Sequence, residues 1–172
     1  MASNKAVTLL PDAGPLITLA YADALDLLLK PGWTVALVDM VLHEVTRNET
    51  PTSARIAAWT RANSIPVLET TIYRRYKKAG TASPVRKANL GELAIQEAMS
   101  EFGLAADQTG VFLFEDHKIA RASFLLPDIC RKVSTRAFLV FLEEQGLIDS
   151  ASEVERRAIL AGRQFSQIRF PP

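Results

Sequence analysis

The chain repeats one pattern along its length: a short apolar run is followed by a longer segment with helical periodicity. The apolar runs at 7–10, 33–38 and 111–114 are short enough to be buried strands. Because helical segments separate these strands, the strands are expected to pair mainly in parallel. The pattern therefore predicts an α/β fold in which a central, mainly parallel sheet is flanked by helices on both faces.

The remaining elements follow from the same periodicities. Short strands are predicted at 66–69 and 129–133, and Asp39 is a candidate N-cap for a helix at 40–47. The segment 72–78 is a basic helix or turn, and 80–87 is a polar loop. Other helices are predicted at 15–30 (with a break near Ala22 and Asp23), 52–63, 89–102, 117–123, 134–145 and 151–162. Nothing marks a domain boundary, so 1–172 is expected to form one domain, with 150–172 as a C-terminal helix and tail.

Composition excludes several classes of protein. Apolar residues make up 48% and charged residues 23%, which are ordinary values for a globular protein and exclude a disordered one. The formal net charge of +1 gives no global attraction to nucleic acid, so any basic surface must be local. Cys130 is the only cysteine, which excludes an intramolecular disulfide. No apolar run could span a membrane and no signal peptide is recognisable, so a cytoplasmic location is expected.

Four acidic residues lie at predicted strand ends or on apolar helix faces, where a carboxylate requires a functional or structural role. Asp12 and Asp116 each follow an apolar strand, and the carboxyl ends of parallel strands are where open α/β sheets bind ligands. Glu44 and Glu92 lie on the apolar faces of their predicted helices, where a buried charge is costly unless it is paired or coordinated. Together the four carboxylates predict a site for Mg²⁺ or Mn²⁺, which prefer oxygen ligands of this kind.

Each of these residues also has a structural interpretation. Asp12 and Asp116 could be N-caps of the helices that follow them. Glu92 is the third residue after Asn89 in a capping-box pattern, and Glu44 could pair with Arg47 on the helix surface. The sequence leaves these alternatives open for each residue taken alone.

The acidic residues fall within motifs that resemble those of the PIN-domain family, in the same order. The motifs are LPDAGPLI at 10–17 followed by ALDLL at 24–28, VLHEV at 41–45, NLGELA at 89–94, LFEDHKIAR at 113–121 and GLI at 146–148. The resemblance spans roughly residues 7–150, and the segment 146–148 resembles a closing segment of the branch that includes VapC-type toxins and their relatives.

The resemblance implies a PIN-like, Rossmann-like fold and a Mg²⁺- or Mn²⁺-dependent endoribonuclease that hydrolyses RNA phosphodiester bonds. It further implies the toxin of a toxin–antitoxin pair, with an antitoxin protein as partner, a homodimer and no membrane association. Asp12 and Asp116 would be the principal metal ligands, and Glu44 and Glu92 would complete the cage. A housekeeping nuclease that processes nucleic acids, and a non-catalytic PIN-like module that binds RNA or protein, are the alternatives.

Two positions depart from the family pattern. Gly14 stands where members often carry Ser or Asn, and Phe114 stands where many carry Thr or Ser. Glu115 is an extra carboxylate beside Asp116, and it is a further candidate metal ligand that could compensate.

A basic segment with interleaved aromatic residues is the candidate surface for binding the RNA substrate. A combination of cations and aromatic rings suits the phosphates and bases of single-stranded RNA. A solvated helix face is the equally acceptable structural interpretation. The candidate RNA-binding residues are Arg74, Arg75, Lys77, Lys78, Arg86 and Lys87.

Overall fold

The computed structural model describes residues 6–79, 90–102, 107–115 and 130–164. Six short strands alternate with seven α-helices and one 3₁₀ helix in these residues. The strands are β1 (Ala6–Pro11), β2 (Thr34–Val35), β3 (Leu37–Val38), β4 (Val67–Leu68), β5 (Gln108–Phe114) and β6 (Cys130–Ser134). The α-helices are α1 (Ala13–Tyr21), α2 (Asp39–Thr46), α3 (Pro51–Ala62), α4 (Thr71–Ala79), α5 (Leu90–Phe102), α6 (Thr135–Glu144) and α7 (Ala151–Leu160), and the 3₁₀ helix is Leu25–Leu29.

All described strand pairs are parallel. Four strands form a sheet in the order β2-β1-β5-β6, and β3 pairs with β4. The two sheets are continuous through the segment 34–38, because the Ala36 N–H donates to the Leu9 carbonyl while the Leu37 N–H donates to the Pro66 carbonyl. The predicted α/β class with a mainly parallel sheet flanked by helices is confirmed.

The two longest described strands, β1 and β5, contain two of the predicted apolar runs. Leu9 and Leu10 of β1 are fully buried, as are Phe112 and Leu113 of β5. These two strands pair along the full length of β1, from Ala6 opposite Gln108 to Pro11 opposite Leu113. A strand buried on both faces needs a continuous apolar run, which explains why the sequence identified β1 and β5 so clearly.

Most predicted elements are present with shifts of one to three residues. The predicted strand at 33–38 is divided at Ala36, and the helix predicted at 15–30 ends at Tyr21 before the 3₁₀ helix, with Asp23 at a positive φ of 53°. The segment 72–78 is helical, as one of its two interpretations required. The predicted loop at 80–87 and the helix at 117–123 lie outside the described residues.

Asp39 differs from its predicted role as an N-cap. It is the first residue of α2 rather than the residue before it. Its carboxylate does accept from the N–H of Met40, at 2.7 Å, but it also binds Thr70, which follows β4.

None of the described helices is long and apolar enough to cross a membrane.

Candidate functional site

Asp12 lies at the carboxyl end of β1, in the middle of the sheet. Its N–H donates to the Leu113 carbonyl of β5 at 2.8 Å, and its side chain is buried. Asp12 is the N-cap residue of α1, yet its carboxylate accepts no hydrogen bond from the described first turn of that helix. The capping interpretation therefore does not account for this buried acid.

Glu115 follows β5 at the same edge and is also buried. The Thr18 hydroxyl donates to Glu115 Oε1 at 2.5 Å, and the Arg163 guanidinium lies 3.5 Å from the same oxygen. Arg163 Nε also donates to the Thr18 hydroxyl oxygen at 3.0 Å, which closes a three-residue network. Glu115 is thus a buried carboxylate whose charge is balanced within the chain.

Gly14 makes room for Glu115. A Cβ added at Gly14 would lie 2.5 Å from Glu115 Cγ and 3.3 Å from Oε1. The carboxylate therefore occupies the space that a side chain at position 14 would need. The other departure from the family pattern, Phe114, is a core residue whose ring lies 4.6 Å from that of Phe112.

Glu44 reaches from α2 to the first turn of α5. Its Oε1 accepts from the Gly91 N–H at 3.1 Å, across 47 residues of sequence. Glu92 is the next residue, and both glutamates are half-buried. The structure therefore brings Glu44 to the helix start that carries Glu92.

These helix starts lie at the same edge of the sheet as Asp12 and Glu115. Helix α2 begins directly after β3, which places it at the carboxyl edge. Helix α5 runs antiparallel to β5, since a Cβ at Gly110, early in β5, would meet the Met99 side chain late in α5. The first turn of α5 consequently points toward the carboxyl edge, which is the usual position of a binding site in a sheet of this type.

The fourth predicted acid, Asp116, lies outside the described residues. Within the described parts of the chain, no three or more Asp, Glu, His or Cys side chains are grouped so that they could hold a metal ion. The convergence of Asp12, Glu44, Glu92 and Asp116 therefore stays a prediction. Of the candidate RNA-binding residues, Arg86 and Lys87 also lie outside the described residues.

The basic segment forms α4, which packs against both α2 and α5. None of its residues is fully buried. Glu97 of α5 binds the first turn of α4: its carboxylate accepts from the Thr71 N–H at 2.6 Å and from the Ile72 N–H at 3.2 Å. Arg74, Arg75, Lys77 and Lys78 are all exposed. The helix is thus fixed by polar contacts while its cations remain available to solvent.

The aromatic residues of α4 pack against α2 next to Glu44. The rings of Tyr73 and Tyr76 lie 5.5 and 5.3 Å from the His43 ring of α2. Lys77 Nζ lies 5.0 Å from the centre of the Tyr73 ring, a cation–π contact. Because His43 precedes Glu44, the basic helix lies next to one of the predicted acids.

Sequence reasoning missed three participants at this edge. Thr18 and Arg163 complete the Glu115 network, and Thr70 binds Asp39. The spacing of 145 residues between Thr18 and Arg163 gives no local signal. The one available signal was the pairing of an unexpected glycine at 14 with an unexpected glutamate at 115.

No protein-family model matches the sequence, and no curated protein matches it significantly. The resemblance to PIN-domain proteins rests on the order of the motifs, and the parallel sheet is consistent with it.

Proposed function

We propose that this protein is a metal-dependent endoribonuclease that hydrolyses RNA phosphodiester bonds and acts as the toxin of a toxin–antitoxin pair. The observation that supports this most is the contact between Glu44 and Gly91, because it brings Glu44 to the residue that precedes Glu92, another predicted site acid far from it in sequence. Asp12 lies at the same sheet edge, buried and not used as a helix cap.

The chemistry of the donor set fits Mg²⁺ or Mn²⁺. Asp12, Glu44 and Glu92 offer only carboxylate oxygens, and a cage of four would need Asp116 as well. When bound, the cation would supply Lewis-acid stabilisation of the charge that develops on the phosphodiester. The protein's own carboxylates would hold the cation and orient water, so that no protein nucleophile is required. Cys130 is unsuited to that role, because burial raises the pKa of its thiol.

The cations of α4 would bind the substrate. Arg74, Arg75, Lys77 and Lys78 lie on a helix that contacts both acid-bearing helices. An RNA backbone that crosses α4 would approach the acidic edge, which would otherwise repel it. Phosphate contacts by Arg and Lys position a strand without reading its sequence.

The decisive experiment is incubation of the protein with a mixed RNA pool and Mg²⁺ or Mn²⁺, with chelator and Asp12→Asn as controls. Asn is also a good N-cap, so Asp12→Asn should fold with a similar melting temperature. We expect cleavage that requires the metal and is nearly absent in Asp12→Asn. Cleavage that survives in both Asp12→Asn and Glu92→Gln would assign the reaction to other residues.

We propose two protein partners, an antitoxin and a second copy of the chain. Ile159 and Leu160 at the end of α7 are exposed apolar side chains of the kind found in protein interfaces. An antitoxin could place an Arg or Lys in the acidic edge, where it would replace the metal's charge. Sedimentation of the purified protein, and of the protein co-expressed with the product of the adjacent gene, tests both; a monomer without partner counts against both.

A non-catalytic RNA-binding module is the second candidate. It is favoured by the lack of a three-residue metal group in the described residues and by the ion pair that Glu115 forms with Arg163. Calorimetric titration with Mn²⁺ separates the two, because a degenerate site should not bind the cation while α4 should still bind RNA.

A further inference from the structure

A cavity of about 300 Å³ opens beside α4, at the carboxyl ends of β3 and β4. Its volume is at the lower end of the range for small-ligand sites. Its polar lining carries both signs of charge and consists of Asp39, Glu69, Thr70, Tyr73, Arg74 and Lys77. The ligand it suits is therefore small and carries an anionic group together with hydrogen-bond donors.

The floor of the cavity is fixed by a network of hydrogen bonds. The Thr70 N–H donates to Asp39 Oδ2 at 2.8 Å, and the Thr70 hydroxyl donates to Asp39 Oδ1 at 2.7 Å. The Tyr73 N–H in turn donates to the Thr70 hydroxyl oxygen at 3.2 Å. These contacts join the starts of α2 and α4, so the cavity is formed before any ligand binds.

The charged residues at the rim of the cavity lie on two different segments of the chain. Arg74 and Lys77 are three residues apart on α4 and therefore lie on neighbouring positions of one helix face. Glu69 precedes the helix and is exposed. Two cations on one element and a carboxylate on another match a nucleotide, whose phosphate is anionic and whose base carries N–H donors.

We propose that this cavity binds one nucleotide of the single-stranded RNA substrate, with its phosphate on Arg74 and Lys77 and its base at Glu69. This inference rests on the proposed function. The base best suited to Glu69 is guanine, because its Watson–Crick edge presents two adjacent N–H donors to the two oxygens of one carboxylate. The other bases offer a single N–H group or amino group to that carboxylate.

The position of the cavity agrees with a substrate subsite. Asp39 of its floor and Glu44 of the acidic edge lie five residues apart on α2, a rise of about 7.5 Å along the helix axis. Helix α4, which lines the cavity, also packs against α5, the helix that carries Glu92. The excess of cations on α4 favours a polyanion over a peptide with paired charges as the occupant.

The test uses the full chain carrying Asp12→Asn and fluorescence anisotropy with labelled eight-nucleotide RNAs that contain or lack one guanine. We expect the guanine-containing RNA to bind about tenfold more tightly, the discrimination typical of one bidentate contact. Glu69→Gln should reduce that preference to less than about twofold, and Glu144→Gln, an exposed carboxylate on α6, should preserve it.

A second pair of variants separates base reading from general attraction. Arg74→Gln with Lys77→Gln should weaken binding and remove the preference. Arg75→Gln with Lys78→Gln makes the same change in charge outside the cavity, so it should weaken binding but keep the preference. Equal effects of the two pairs on preference would overturn the subsite.

The remaining outcomes distinguish the inference from the function on which it rests. Metal-dependent cleavage by the parent without guanine preference would overturn the subsite and leave the nuclease. Guanine preference that depends on Glu69, in a parent that cleaves nothing, would support the subsite and remove the nuclease. If no RNA binds, or if a peptide competes for the cavity while RNA does not, the subsite is wrong.

Discussion

Two glutamates at the carboxyl edge of the sheet pack against glycines at helix starts, and their surroundings differ. Glu115 lies against Gly14 of α1 and is enclosed by Thr18 and Arg163. Glu44 lies against Gly91 of α5, where a Cβ would meet its Oε2 at 2.8 Å, and accepts from a backbone N–H. Glu115 has a side-chain cation among its partners, and Glu44 binds the first turn of the helix that carries Glu92.

The difference separates a structural acid from a candidate catalytic one. A buried carboxylate with an arginine and a hydroxyl as partners is stabilised where it is, and it gains little from a metal ion. A half-buried carboxylate at a helix start is held in place by the N–H group and the helix dipole, which a cation can supplement. Glu115, a further candidate metal ligand in the sequence, therefore has the surroundings of a residue that holds the fold together.

The largest expected effect is on activity at Glu44. Glu44→Gln keeps an oxygen that can accept from the Gly91 N–H but removes the charge that a metal requires. We expect RNA cleavage to fall more than about 100-fold, beyond the loss of an outer-shell partner, with a melting temperature close to the parent's. Single-turnover assays with Mn²⁺ and thermal melts measure the two effects. Parent-like cleavage would place Glu44 outside the site.

The next effect is on stability at Arg163. Its side chain is 18% exposed and that of Glu115 is 5% exposed, so Arg163→Met would leave a carboxylate buried without its cation. We expect the free energy of unfolding to fall by about 3 kcal/mol, as measured in urea. The double variant Arg163→Met with Glu115→Gln should recover much of the loss, because no buried charge remains. Additive losses in the double variant would mean that the two side chains do not act as a pair.

The sequence predicted the main strands and helices at this edge of the sheet, but it did not predict the partners of Glu115. β1 and β5 were predictable because each is a continuous apolar run, and the break after Tyr21 was visible in the periodicity. The sequence predicted that Glu44 and Glu92 converge at one end of the sheet, but it did not predict that Glu44 accepts from the Gly91 N–H. The partnership of Glu115 with Arg163 was not predictable, because it depends on where the turn after α7 returns to the sheet. Gly14 looked like the loss of a functional side chain until the structure placed Glu115 in that space.

The smallest expected effect, and the sharpest test of the comparison, comes from adding one methyl group at each glycine. At Gly14 the added Cβ would lie 2.5 Å from Glu115 Cγ, in the middle of a side chain that is fixed at its far end. We expect Gly14→Ala to lower the free energy of unfolding by about 1–3 kcal/mol, the range for overpacking. At Gly91 the three atoms nearest to the added Cβ all belong to the carboxylate group of Glu44, so the close approach is to the end of a side chain and not to its middle.

Gly91→Ala should therefore leave stability within about 1 kcal/mol of the parent's, since alanine also favours the helix by up to that amount. Its effect should appear in cleavage instead, because Glu44 would be moved from the Gly91 N–H and from its position beside Glu92. Both variants are measured by urea titration and by the Mn²⁺-dependent cleavage assay. If the interpretation is right, Gly14→Ala loses stability and Gly91→Ala loses cleavage activity. If both variants lose stability alike, Glu44 is held as firmly as Glu115, and the division into a structural and a catalytic glutamate is wrong.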